Sequence, residues 1–171
     1  MSGAPGAVEL RAPRARDADG MLSVLAACER TWAAFATTGW EPPPQGGGHW
    51  VRELGGEHDW TRVADEPGRG VVGFVSFSAA RDAIGGPELP GVANLDALFV
   101  HPDRWGRGIG GRLLEAAMVA MRERDFRRGR LYTPQGAPAE RFYAAHGWTP
   151  DGRLAWHHVL RFAVVGYALE L

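Results

Sequence analysis

The chain has 171 residues, 45% of them hydrophobic, and a net charge of −1. That length carries one domain with its own core, and the near-neutral balance excludes the broad basic surface that nucleic acid or an acidic membrane selects. A lone cysteine, Cys28, excludes an internal disulfide and fits a reducing compartment. All nineteen basic residues are arginine, which reads as biased base composition rather than function.

In chain order, residues 1–7 read as a flexible tail and residues 8–171 as one domain. The opening "MSGAPGAVEL" lacks the basic start and sustained apolar run of a signal peptide. No stretch approaches the ~20 apolar residues of a membrane helix. The expectation is a cytoplasmic protein. "VELRAP" predicts a short strand, and residues 16–35 a helix capped by Asp17 or Asp19, its period traced by Met21, Leu22, Leu25, Cys28, Glu29 and Trp32. "TTGWEPPPQGGGHW" is loop, with a second short helix predicted over residues 48–54. Residues 59–79 change to a period of two around "PGRG", the pattern of a hairpin. "ARDAIGGPELPG" reads as loop and "VANLDALFV" as a third strand. A helix then runs to about Phe126, with Ile109, Leu113, Ala117, Ala120 and Met121 on one face and Gly129 as its stop. "GRLYTP" predicts a strand, and "APAERFYAAHG" a helix with Pro138 at its start and Gly147 beyond its end. Two last strands, separated by a loop around "WHH", close the chain.

The segment "HPDRWGRGIGGRLL", residues 101–114, places four glycines in six positions at the mouth of a helix. Each costs about 1 kcal/mol relative to alanine inside a helix. Bare backbone at a helix N-terminus exposes unpaired N–H groups and a partial positive charge, which suits a phosphate. Gly106, Gly108 and Gly111 literally satisfy the dinucleotide pattern G-x-G-x-x-G, but "HPDRW" separates them from the strand and the next strand carries no acid. A P-loop fails as well, since no Gly-Lys-Ser/Thr follows.

The order strand, "HPD", "WGRGIGG", helix, short strand, then helix with "FYAAHGW" resembles the GNAT superfamily of acyl-CoA-dependent N-acyltransferases. Residues 95–121 and 130–148 carry the resemblance. It implies an α/β fold of the α+β mixed-sheet kind. A mostly antiparallel sheet of 6–7 strands would splay between the strand at 92–100 and the strand at 130–134, flanked by about four helices. It also implies a diphosphate held by the loop Arg104, Trp105, Gly106, Arg107, Gly108, Ile109, Gly110 and Gly111. The family's loop has Gln or Arg where this chain has Trp105, and its frequent asparagine seven residues before the tyrosine is Gly136 here. Arg104, Arg107 and Arg112 are candidates to replace lost charge.

By the same resemblance, acetyl-CoA is the co-substrate and its pantetheine arm lies along Leu98, Phe99 and Val100, where an N–H of Phe99 or Val100 polarises the thioester carbonyl. The acetyl group passes directly to an amine, without a covalent enzyme intermediate. Tyr143 would donate to the departing thiolate, with Phe142 turned to the core. Asp96, on the strand face of Leu98 and Val100, is the first candidate base, and Glu29 the second. Glu29, Trp32, Phe35 and Phe74 are expected to contact the acceptor, and with Trp40 and Phe77 they lean toward an apolar or aromatic amine. Adjacent His157 and His158 cannot both ligate one ion from a strand, so no metal is expected. A small-molecule acceptor competes with protein N-terminal or lysine amines, and a non-catalytic acyl-CoA-binding module is the alternative of another class. The apolar C-terminal "RFAVVGYALEL", read as an edge, predicts a homodimer.

Overall fold

The computed structural model describes residues 7–36, 38–42, 60–83 and 85–171. Its strands are β1 (Glu9–Arg11), β2 (Trp60–Glu66), β3 (Gly70–Arg81), β4 (Glu88–Val100), β5 (Arg128–Pro134), β6 (Thr149–His157) and β7 (Phe162–Glu170). Its helices are α1 (Ala18–Glu29), α2 (Ile109–Glu123) and α3 (Pro138–Ala145). The strands form one seven-stranded sheet in the order β1-β2-β3-β4-β5-β7-β6, antiparallel throughout except for the parallel pair β4–β5.

Each face of the sheet buries a helix layer. On one face, Ile109, Leu113, Leu114, Ala117 and Met121 of α2 join Tyr143 and Trp148 over Val75, Phe77, Leu95 and Leu131. Three- and four-residue steps give α2 this single apolar stripe. On the other face, Met21, Val24, Leu25 and Cys28 of α1 cover Val63, Phe74 and Ala97. Leu95 and Ala97 belong to opposite layers although strand alternation would put them together. The cause is a register slip: Phe77 pairs with Leu95 and Ser76 with Ala97, so Asp96 is an extra residue on β4. Leu98 and Val100 consequently return to the α2 side.

Several elements differ from the sequence expectations. The first helix ends at Glu29, and Trp32–Ala34 form a separate 3-10 turn instead of continuing to Phe35. Strand β4 begins at Glu88, inside the expected loop. Helix α2 ends at Glu123 because Asp125 adopts φ 61°, and Gly129 is not its stop. Gly129 lies within β5, where an added Cβ would stand 2.8 Å from the Trp148 ring. Among the described residues there are three α-helices, and the helix expected over 48–54 lies outside them, as do residues 1–6 of the expected tail. The tail strand β7 is not an edge: β5 and β6 flank it, leaving β1 and β6 outermost.

Candidate active site

Strands β4 and β5 pair only at Val92, Ala93 and Asn94 against Arg128, Gly129 and Arg130. Beyond that point each keeps its other neighbour, β4 with β3 and β5 with β7. The sheet therefore opens as a V between Leu95–Val100 and Leu131–Pro134. Main-chain directions along this edge follow from one bond, the His101 N–H donating to the Val72 carbonyl at 2.8 Å. Antiparallel pairs alternate between bonded and non-bonded, so Phe99 faces β3 while Leu98 and Val100 turn their N–H and C=O groups toward the gap. Of the two N–H groups expected near the thioester, that of Val100 is the one facing the opening. The Val100 carbonyl accepts from the Trp105 indole at 2.6 Å and the Cys28 thiol at 3.2 Å. Burial pushes the Cys28 thiol up to about 12, which keeps it protonated and a donor.

The glycine loop follows directly. Gly106 and Gly108 have φ of 72° and 75°, left-handed geometry that strains other residues. Gly108 caps α2 without a side-chain hydrogen bond, and no acidic residue occupies the first turn. The helix's leading N–H groups thus keep their positive character. The other two glycines answer to packing: a Cβ at Gly110 would lie 3.4 Å from the Phe142 ring, and one at Gly111 would lie 3.1 Å from His146 Nε2. Two glycines shape bare backbone and two admit α3. Ile109, expected among the ligand-binding residues, is buried in the core.

The nearby arginines divide as well. Arg104 is paired with Glu66 at 2.7 Å, and Arg112 donates to the Val8 carbonyl at 2.9 Å. Arg107 is exposed and makes no such contact among the described residues. Of the three, Arg107 is the one whose charge is unengaged among the described residues.

Tyr143 is 7% exposed and packs with Trp148 and Tyr167, while Phe142 is half-buried against Gly110 and His146. The expected division set Phe142 in the core and Tyr143 in the cleft; Tyr143 is the more buried of the two, and Phe142 packs against the core between α2 and α3. Burial raises the Tyr143 phenol above its usual value. Its hydroxyl makes no hydrogen bond among the described residues. The Gly136 N–H donates to Glu140 at 2.6 Å, and Glu140 also accepts from the Tyr167 hydroxyl at 2.8 Å. Sequence reasoning missed both Glu140 and Tyr167, since their pairing joins α3 to β7.

Asp96, the extra residue on β4, is exposed and accepts from the Asn94 amide at 2.6 Å. The register slip interrupts the alternation that assigned Asp96 to the face of Leu98 and Val100. Glu29 is 5% exposed, one turn beyond Leu25 on the buried side of α1. Trp32 contacts Phe99 at 6.3 Å, Trp40 at 6.3 Å and Phe162 at 5.5 Å between ring centroids. Because Phe99 belongs to β4 and Phe162 to β7, Trp32 spans the V on the α1 side. Phe162 was missed in the sequence, far along the chain from Trp32. Phe35 is half-buried beyond the 3-10 turn. Phe74 is fully buried behind Phe99, so its ring supports the wall rather than facing the opening. Among the described residues no group of His, Cys, Asp and Glu has the arrangement of a metal site.

Comparison with known proteins bears on this geometry. Residues 23–148 match the Acetyltransferase (GNAT) family. No curated protein matches the chain. Among solved structures, the PaiA N-acetyltransferase of Thermoplasma acidophilum in complex with coenzyme A is 15% identical over 96% of this chain and 99% of its own, with a TM-score of 0.69. The ribosomal-protein-S18-alanine N-acetyltransferase of Escherichia coli is 15% identical over 95% of this chain and 93% of its own, TM-score 0.67. An N-acetyltransferase of Staphylococcus aureus Mu50 is 18% identical over 95% and 98%, TM-score 0.68. At these identities the structures speak for the fold. With a sheet parted between its one parallel pair, a glycine-built helix start at the end of that opening, and a family match over most of its length, the chain belongs to the GNAT acetyltransferase family.

Proposed function

We propose that the protein is an acetyl-CoA-dependent N-acetyltransferase that acetylates a primary amine of a small molecule. The observation that carries this reading is the parting of β4 from β5 beside the uncapped N-terminus of α2. An extended arm ending in a diphosphate matches both features: its amides meet the strand edge at Leu98 and Val100, and its phosphates meet the N–H groups of α2. Gly106, Arg107 and Gly108, with the leading N–H groups of Ile109, Gly110 and Gly111, serve the diphosphate. The coenzyme A bound in the Thermoplasma acidophilum relative supports the same co-substrate here.

The reaction forms a C–N bond and breaks the thioester C–S bond. The amine attacks the thioester carbonyl, whose oxygen gains charge that a gap-facing N–H of β4 stabilises. The ammonium formed by attack loses a proton to a base, with Asp96 first and Glu29 second in candidacy. The thiolate leaves and takes a proton from solvent while Tyr143 donates a hydrogen bond to it. Full transfer from Tyr143 is unfavourable, since an unperturbed phenol already lies ~1.5 pK units above a thiol, about 2 kcal/mol, and burial widens that gap.

The rings of Trp32, Trp40, Phe99 and Phe162 support an apolar or aromatic amine. Acetylation of protein N-termini or lysines is the alternative within the same chemistry. A non-catalytic acyl-CoA-binding module competes from another class, favoured by the Gly136 N–H already engaged by Glu140. Thiol release from acetyl-CoA across a panel of small amines and peptides tests all three. Turnover on aromatic amines supports the proposal, turnover confined to peptides replaces its acceptor, and binding without turnover favours the module.

A cytoplasmic setting belongs to the proposal, and no described helix is long and apolar enough to cross a membrane. A homodimer belongs to it too. Because β7 is flanked on both sides, the open edge nearest that tail is β6, where Leu154 and Trp156 are exposed. Light scattering that gives a monomer at micromolar concentration removes it.

A further inference from the structure

Glu140, the third residue of α3, turns its carboxylate back past the helix start, where Oε1 accepts from the Gly136 N–H at 2.6 Å. A glutamate at the third helical position commonly reaches back in this way. The second oxygen reaches a different element: Oε2 accepts from the Tyr167 hydroxyl of β7 at 2.8 Å. One carboxylate thus joins the β5–α3 turn, α3 and β7. Donating to Glu140 holds the Tyr167 phenol above its usual value, so it stays a donor. Glu140 and Tyr143 stand three residues apart on one face of α3, and both touch Tyr167.

The Tyr143 hydroxyl has no hydrogen-bond partner among the described residues, so its aim depends on where α3 carries the ring. The Tyr143 ring lies 6.1 Å from that of Trp148 and 6.5 Å from that of Tyr167 between centroids. These distances fall in the upper part of the aromatic range of about 4.5–7 Å, and apolar contact fills space without fixing a direction. A rotation of about 10° carries an atom roughly 6 Å from the helix axis through about 1 Å. A misplacement of about 1 Å costs roughly 10²-fold in rate. The bond from Tyr167 to Glu140 supplies the directional constraint that the rings lack. We propose that Glu140 and Tyr167 are positioning residues that fix the rotation of α3 and so aim the Tyr143 hydroxyl at the departing thiolate. This rests on the acyltransferase reading above and on the role proposed there for Tyr143.

Tyr167→Phe keeps the ring and removes the hydroxyl, while Glu140→Ala removes both contacts. Steady-state thiol release from acetyl-CoA, with the best amine of the panel above, reads the effect. Tyr167→Phe should lower kcat by about two- to tenfold, the scale of one net hydrogen bond. Glu140→Ala should lower it by roughly 10–100-fold, with KM for acetyl-CoA within about twofold of wild type in both. Glu140→Gln, whose amide accepts from Gly136 and donates to the Tyr167 oxygen, should restore most of the loss. In a Tyr143→Phe background neither Tyr167→Phe nor Glu140→Ala should lower kcat further, since no hydroxyl is left to aim. A packing role alone gives the same factor in both backgrounds and overturns the proposal. A raised KM with kcat unchanged overturns it as well. Should Glu140→Ala fail to fold, Tyr167→Phe in the two backgrounds decides. Wild-type protein without turnover on any amine overturns the acyltransferase reading too. Wild-type kcat in Tyr143→Phe overturns the role of Tyr143 and this inference together. A fall in Tyr143→Phe beside wild-type kcat in Glu140→Ala and Tyr167→Phe overturns this inference alone.

Discussion

Tyr143 joins a packing role to the chemical role proposed for its hydroxyl. Its ring fills the core between Trp148 and Tyr167, while its hydroxyl has no acceptor among the described residues. Tyr143→Phe removes one oxygen and leaves that packing nearly intact. If the hydroxyl stabilises the departing thiolate, kcat should fall by roughly 10²–10⁴-fold while KM for acetyl-CoA moves little. A purely structural tyrosine gives the opposite result, a lower melting temperature with turnover intact. Since burial holds the phenol above its usual value of 10, loss of its proton should not limit kcat below that pH. A pH–rate profile checks this. At Gly108, φ of 75° makes any side chain costly, and Gly108→Glu also sets a carboxylate at the uncapped helix start. Calorimetry should show acetyl-CoA binding abolished in a folded variant. Unchanged affinity would place the diphosphate elsewhere.

The elements are held together by close approaches and ionic joints. Gly129→Ala drives a Cβ to 2.8 Å from the Trp148 ring, with backbone on one side and a buried indole on the other. Overpacking of this kind costs about 1–3 kcal/mol, and the melting temperature should fall by about 2–4 °C per kcal/mol. An equal or higher melting temperature would mean that Trp148 shifts freely. At the joint of β1, β2 and α1, Arg11 pairs with Asp17 at 2.6 Å and with Asp65 at 2.7 Å. The hydrogen bond from Arg11 holds the Asp17 carboxyl below its ordinary value of 3.8. Folding thus gains from ionised Asp17 above that value and loses the gain as pH falls through the lower folded one. Asp17→Asn should lower stability at neutral pH and flatten its decline between about pH 5 and the folded value. Denaturant melts at several pH values test it, and parallel curves for the two proteins would contradict it.

The whole sheet is two halves joined by three residue pairs of β4 and β5, with the opening beyond them. A ligand inserted there bridges the halves and binds only the folded chain. At a hundred times its dissociation constant it stabilises by about 2.7 kcal/mol, which corresponds to a rise of about 5–10 °C in melting temperature. Hydrogen exchange should slow at Leu98 and Val100, whose amides face the gap, and stay unchanged at Phe99, already bonded to β3. Equal protection at all three would contradict the alternation along β4.

The features legible in the order of residues alone were local. The hairpin at "PGRG", the stripe of α2, the Pro138-to-Gly147 helix and the glycine-rich helix mouth all rest on neighbours within a few residues, where period and turn chemistry act directly. Those signals, with the order of the motifs, sufficed for the family. Features that depend on distant partners were settled by packing. Gly110 and Gly111 lack a Cβ where Phe142 and His146 approach them, and Gly129 serves Trp148 rather than the end of α2. Tyr143 is more buried than Phe142 because a helix of eight residues is oriented by what it packs on. β7 became interior when β6 folded back beyond it. The extra residue at Asp96 is likewise invisible in a strand that reads as regular, since a bulge exists only against its partner: Ser76 and Phe77 are consecutive on β3, but the residues they face on β4 are not.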